Sequence, residues 1–164
     1  MYKKFLSLLA VLVLAAACDT TSDNSGAGAG NGMGGEGAGK GGVARPGTQE
    51  DLVVNVGDRV FFSLDKSDLS PEARATLDRQ AAWLKKYGNI HVTVEGHCDE
   101  RGTREYNLAL GERRATAVKN YLVADGVSAG RVKTISYGKE RPAVLGSNEA
   151  AWAQNRRGVT VVTP

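Results

Sequence analysis

Between Ile90 and Leu122 the period of the apolar side chains changes once, from two residues to between three and four, and no single element of secondary structure satisfies both periods. Ile90, Val92 and Val94 alternate with His91, Thr93 and Glu95, which predicts a strand with one buried face. Gly111, Ala115, Val118 and Leu122 then recur at helical spacing, the core stripe of a helix running roughly from Arg104 to Ala124 and ended by Asp125-Gly126. A glycine in that stripe implies close approach of the helix to its neighbour. The chain therefore mixes strand and helix, joined here by the polar loop from Gly96 to Thr103.

The two periods recur on either side. Asp51 to Val56 and Arg59 to Leu64 predict two short strands about Gly57-Asp58, the second with Val60, Phe62 and Leu64 pointing inward. Ser70-Pro71-Glu72 predicts a helix start, with a capping serine, proline at the first helical position and an acid in the first turn. That helix runs to about Tyr87 on a stripe of Leu77, Ala81 and Leu84, and Gly88-Asn89 stops it. Downstream, Arg131 to Tyr137 predicts a strand, Gly138 to Ser147 an irregular connection, Asn148 to Gln154 a short helix and Gly158 to Thr163 a β-branched strand. Half-polar strands interspersed with helices predict an α/β two-layer sandwich, with helices packed on one face of a mixed β-sheet.

That domain is assigned to residues 51–164, and what precedes it has a different composition. Met1 to Ala17 reads as a signal peptide, with Lys3 and Lys4 ahead of an apolar run that is shorter than the about 20 residues needed to cross a bilayer. Cys18 follows in the context LAAAC, which resembles a lipobox with Ala15 where leucine is commonest. The resemblance implies cleavage before Cys18 and its acylation. At about 0.8 kcal/mol per buried methylene, two or more acyl chains hold a protein on a membrane. Residues 18–50 are dominated by glycine and predict a flexible linker. Its about 30 residues average roughly 30 Å end to end and reach about 100 Å at full stretch.

Of the 21 basic residues, Lys3 and Lys4 lie in the signal, so 19 remain against 18 acidic ones. With basic and acidic residues interleaved from Asp99 to Arg114, this near-neutral balance argues against a nucleic-acid partner. Acylation of Cys18 leaves Cys98 without a disulfide partner.

Candidate chemistry concentrates in the loop and the helix after it. Asp99 in the loop and Arg114 in the helix can face one space if the loop folds over the helix start. Asn107, Leu110 and Arg114 share the flank of the core stripe. A carboxylate opposite a guanidinium suits a zwitterionic ligand, the first taking an ammonium and the second a carboxylate. Alternatively the two pair with each other and pin the loop. His97 and Cys98 invite a metal or thiol-enzyme reading, but the only other histidine, His91, lies six residues back on a strand, and no motif marks Cys98 as a nucleophile. No metal or cofactor is expected. Tyr106, Trp83 and Trp152 stand at helical positions where core packing is the expectation. Asn155-Arg156-Arg157 reads either as a solvated cap or as a second anion contact.

The runs VTVEGHCDERGTREYNLALGERRATAVKNYL, SYGKERPAVLG, AAWAQNRR and VFFSLDKSDL together resemble the OmpA-like C-terminal domain family, and among its members the lipoproteins that associate with peptidoglycan. The resemblance covers about Arg59 to Val162. The family's binding helix has asparagine, then Leu-Ser, Arg-Ala, valine and leucine at fixed spacing; here the positions are Asn107, Leu110, Gly111, Arg114, Ala115, Val118 and Leu122, with glycine for serine as in lipoprotein members. The resemblance implies a non-enzymatic protein of the outer membrane, lipid-anchored with its domain in the periplasm, whose ligand is the meso-diaminopimelate side chain of the peptidoglycan stem peptide. By it, Asp99 takes the ligand's ammonium and Arg114 its carboxylate, while Asp65, Arg101, Thr103, Asn107 and Leu110 line the same pocket. It also implies TolB and other Tol-Pal components as partners, in envelope integrity and cell division. Two positions depart from the family pattern: Cys98 replaces an alanine or threonine, and Asp19 follows the lipidated cysteine. The rival from another class is a periplasmic cell-wall hydrolase using Cys98 and His97.

Overall fold

The computed structural model describes residues 44–163; the signal peptide, Cys18 and most of the linker lie outside the described residues. Two helices, α2 (Pro71–Lys86) and α3 (Arg104–Ala124), cover one face of a four-stranded sheet made of β1 (Arg59–Phe61), β2 (His91–His97), β3 (Val132–Gly138) and β4 (Arg157–Thr163). The strand order is β1-β4-β2-β3. β4 runs antiparallel to both of its neighbours, and β2 and β3 are parallel, so α3 is the crossover between them. The mixed two-layer α/β sandwich expected above is the observed fold.

Local chemistry sets the helix starts. The hydroxyl of Ser70 accepts from Ala73 N at 3.1 Å, with Pro71 at the first position of α2. Thr103 caps α3 by accepting from Tyr106 N at 3.2 Å. The stripes point as their periods require: Leu77, Ala81 and Leu84 from α2 and Ala115, Val118 and Leu122 from α3 pack on Val60, Val92, Val94 and Val132 of the sheet. Each fully buried leucine contributes about 1.5–3 kcal/mol. Gly111 lies directly over β2, where its backbone meets that of Gly96.

Two expectations at the start of the domain are corrected. Residues 51–56 are not a strand. α1 (Gln49–Asp51) continues as a π-helical turn over Leu52–Val56 and ends at Gly57, whose φ of 95° only glycine adopts without strain. The β-branched run is overridden by hydrogen bonds: Thr48 caps the turn, and the buried Asp51 carboxylate accepts from Gly47 N, Asn55 Nδ2 and Trp83 Nε1, each at 2.8 Å. Just ahead of Asp51, the Gln49 side chain accepts from Val162 N at 2.7 Å and donates to Thr160 O of β4. Second, β1 stops at Phe61 rather than Leu64. Phe62 stays buried, but the chain then turns through Asp65, which has φ of 58°, and leaves Leu64 half exposed instead of inward.

Candidate functional site

The loop after β2 and the first three turns of α3 enclose a cavity of about 320 Å³. Its lining includes Leu64, Asp65, Cys98, Asp99, Arg101, Gly102, Tyr106, Asn107, Leu110, Arg114 and Arg156. Six of the seven side chains expected to share a pocket are therefore brought together. Thr103 is not among the lining residues; its hydroxyl is spent on capping α3.

Arg114 is completely buried. Its Nε–H donates to Lys66 O at 2.8 Å, Nη1 to His97 O at 2.8 Å and Nη2 to Ser63 O at 3.1 Å, so it ties the turn after β1 to the end of β2. A guanidinium has five N–H groups, and these bonds use three. Among the described residues no carboxylate comes within 4.0 Å of it; Asp99 pairs with Arg101 and Arg156 instead. The sequence-based alternative, in which Asp99 and Arg114 pin the loop by pairing with each other, is thus not what the chain does. Burial pulls the Arg114 pKa below the ordinary arginine value, opposed by the neighbouring Cys98 and Asp99.

Asp99 is nearly buried and holds four donors. Its Oδ1 accepts from Arg101 N and Arg101 Nε, each at 3.1 Å. Its Oδ2 accepts from Arg101 Nη2 at 2.6 Å and Arg156 Nη1 at 3.3 Å. Burial works to raise its pKa, but the Arg101 hydrogen bonds and charge and the Arg156 contact bring it below the usual aspartate value. Asn107 fixes the loop by donating to Arg101 O and Thr103 O at 2.7 and 2.9 Å. Asp65 stands across the cavity, exposed, accepting from the Tyr106 hydroxyl.

Two aromatics expected in the core are elsewhere. Tyr106 is 45% exposed at the cavity rim. Trp152 is half-buried, donates from Nε1 to Glu100 Oε1 at 3.0 Å, and carries the Arg101 guanidinium 4.0 Å above its ring. Trp83 is buried as expected. Arg156, left open between solvated cap and anion contact, is buried in the pocket wall, where its Nε–H also donates to Phe62 O. Only the sheet order could have revealed it, because β4 lies beside β2.

His97 and Cys98 form no reactive pair. The Cys98 thiol is 3% exposed, its Sγ–H donates to Asn107 O, and burial pushes its pKa up. No group of three or more metal-ligating side chains exists among the described residues. His97 is 1% exposed, with Nε2–H donating to Glu95 Oε2 at 3.3 Å and Nδ1 unpartnered. Burial first, then the charge of Arg157, lowers its pKa from 6.5 to about 4. The unfolded chain thus takes up a proton near pH 6.5 that the folded chain refuses until about pH 4. The contribution of neutral His97 is full above the higher value and is lost as pH falls through the lower. A shift of this size corresponds to about 3 kcal/mol of stability lost over that window. Urea denaturation at a series of pH values should show this loss, and His97→Gln should flatten it.

Comparison with known proteins identifies the family and the fold. The OmpA family matches residues 61–156. The peptidoglycan-associated lipoprotein of Rhizobium meliloti is 59% identical over 121 residues, covering 74% of this chain and 69% of that protein. The protein of the same name from Pseudomonas putida is 46% identical over 157 residues, 95% of this chain and 94% of its own. Among solved structures, the peptidoglycan-associated lipoprotein from Burkholderia pseudomallei superposes with a TM-score of 0.63 at 42% identity, covering 65% of this chain and 90% of that one. The C-terminal domain of Helicobacter pylori MotB, at 20% identity and a TM-score of 0.61, covers 65% of this chain and 84% of its own and shares the fold. The chain belongs to the OmpA family and, within it, to the peptidoglycan-associated lipoproteins.

Proposed function

We propose that this protein is a non-enzymatic tether that grips peptidoglycan through the diaminopimelate side chain of the stem peptide while an acylated Cys18 holds it in the outer membrane. The observation that carries the reading is Arg114: a guanidinium lining the cavity, fully buried, with two N–H groups uncommitted and no carboxylate within 4.0 Å among the described residues. Leaving such a cation unpaired is costly, so the cavity favours a ligand that supplies an anion. Asp99 and Asp65 add carboxylates for an ammonium, and Leu110 gives an apolar wall for the methylenes between the charged ends. A zwitterion on a short aliphatic stem matches this set, as does the free end of meso-diaminopimelate.

The buried, hydrogen-bonded thiol of Cys98 speaks against the hydrolase, since the nucleophile would have to be a thiolate. No helix among the described residues is long and apolar enough to cross a membrane. Membership of the Tol-Pal system, with TolB as partner and a role in division, is part of the same reading and rests on the family resemblance. Many copies on one polymer gain avidity through effective concentration, so each contact can be weak.

Calorimetric titration with a stem tripeptide ending in meso-diaminopimelate, against the analogue ending in lysine, tests the reading. The lysine peptide lacks the carboxylate assigned to Arg114. It should bind more weakly by about tenfold to a hundredfold, the worth of a hydrogen bond to a charged group, about 1.5–3 kcal/mol. Equal binding refutes the role given to Arg114.

A further inference from the structure

The Asp99 carboxylate has no room for an ammonium as it stands. A carboxylate offers about four acceptor positions, and four donors already occupy Asp99: the Arg101 amide, Nε and Nη2, and Arg156 Nη1. If a ligand's ammonium is to reach Asp99, one guanidinium must leave.

The two arginines are not equally held. The Arg156 side chain is 8% exposed, and it also donates to Phe62 O at 3.0 Å and to Glu149 Oε1 at 2.6 Å. The Arg101 side chain is 33% exposed, and its other contacts are the face of Trp152 and, at 4.0 Å from Nη1, Glu149 Oε2. Arg101 is the one free to go. Glu149 opens α4 (Glu149–Asn155), is 66% exposed, and gives only one of its oxygens to Arg156. Asp99, Arg101, Glu149 and Arg156 thus form a closed ring of alternating charge with one weak side, the 4.0 Å gap between Arg101 and Glu149.

We propose that Glu149 is a positioning residue of the pocket: it receives the Arg101 guanidinium when a ligand's ammonium displaces that group from Asp99. The inference rests on the reading above, in which Asp99 takes an ammonium. The exchange keeps every charge paired. The ammonium replaces the guanidinium on Asp99, and the guanidinium closes its gap to Glu149 while sliding on the Trp152 ring, a stack that tolerates lateral movement. Without Glu149 the displaced arginine would lose the carboxylate 4.0 Å from its Nη1, with Glu100, already held by Trp152 Nε1, the other acid beside that ring, and binding would be weaker by the pairing lost. Arg101 would then be a removable occupant of the site, with Trp152 as its track.

A double-mutant cycle on the full chain in detergent, titrated with the diaminopimelate tripeptide, tests this. Glu149→Gln should weaken binding by about tenfold, within the range of coupling between neighbouring charges. In the Arg101→Ala background, where nothing needs to be received, Glu149→Gln should change affinity by less than about twofold relative to Arg101→Ala itself. An equal loss from Glu149→Gln in both backgrounds overturns the proposal, because Glu149 would then act only through Arg156 or the fold. So does no loss in either background, and so does failure of Arg101→Ala to bind, which would make Arg101 a ligand contact. If the wild-type chain does not take the tripeptide, the reading beneath it falls first and this inference with it; the wild-type titration separates the two failures.

Discussion

Gly96→Ala should destabilise the fold severely. A Cβ built on Gly96 would lie 1.8 Å from the carbonyl oxygen of Gly111 and 2.5 Å from its carbonyl carbon. Both are backbone atoms of the long helix, with no rotamer to relieve them. Accommodating a methyl group would require lifting α3 off β2 by more than 1 Å, and α3 carries Ala115, Val118 and Leu122 into the core in the same turns. The expected cost exceeds about 4 kcal/mol, the range reserved for gross overpacking, against a typical total stability of about 5–15 kcal/mol. Gly88→Ala supplies the control, since a Cβ there meets nothing within 4 Å and should change stability by no more than about 0.5 kcal/mol. Urea denaturation followed by circular dichroism reads both. The same crowding explains the glycine where the family pattern has serine: a Cβ on Gly111 would stand 2.2 Å from Ser136 Oγ.

Arg114→Ala should abolish sedimentation with purified sacculi and also cost stability. The side chain satisfies three carbonyls drawn from two segments of chain, and its removal strands those oxygens around a void the size of a guanidinium. About 3–5 kcal/mol is expected, the usual penalty for breaking up a buried charged network. Because lost binding could then follow from lost folding, Arg114→Lys is the sharper variant. It keeps the charge but presents no planar fork, so it should remain folded at moderate cost while binding falls by about a hundredfold. Arg114→Lys that is folded and sediments like the wild type would remove Arg114 from the binding account.

The helices were legible because their signals are local. Ser70 with Pro71, Thr103 three residues before the amide that donates to it, and the period of each stripe are written within a few positions of one another. The residues from Leu52 to Val56 misled because their β-branched side chains suggest a strand, while the deciding bond comes from Trp83, 32 residues from Asp51. The pocket divides along the same line. Asp99, Asn107, Leu110 and Arg114 lie on one loop and one helix face and could be grouped by spacing and resemblance. Arg156 is 57 residues from Asp99 and arrives only because β4 inserts between β1 and β2. Glu149 and Trp152 come with it on α4, whose short pattern carries no hint of the arginine its side chains attend.

Gln49 gives the start of the domain a mechanical meaning. Its side-chain amide pairs with the backbone of β4 at Thr160 and Val162, and two residues later Asp51 is clasped by Trp83 of α2. A pull on the chain ahead of these residues would be shared between a central strand and a helix before it reached the short edge strand β1, which has only three residues to resist peeling. Tension carried from a membrane anchor would therefore be taken up by the strand that leads back to Arg156 and by the helix layer. The load would fall first on β4 and α2, with the pocket at the opposite end of β4 from the point of attachment.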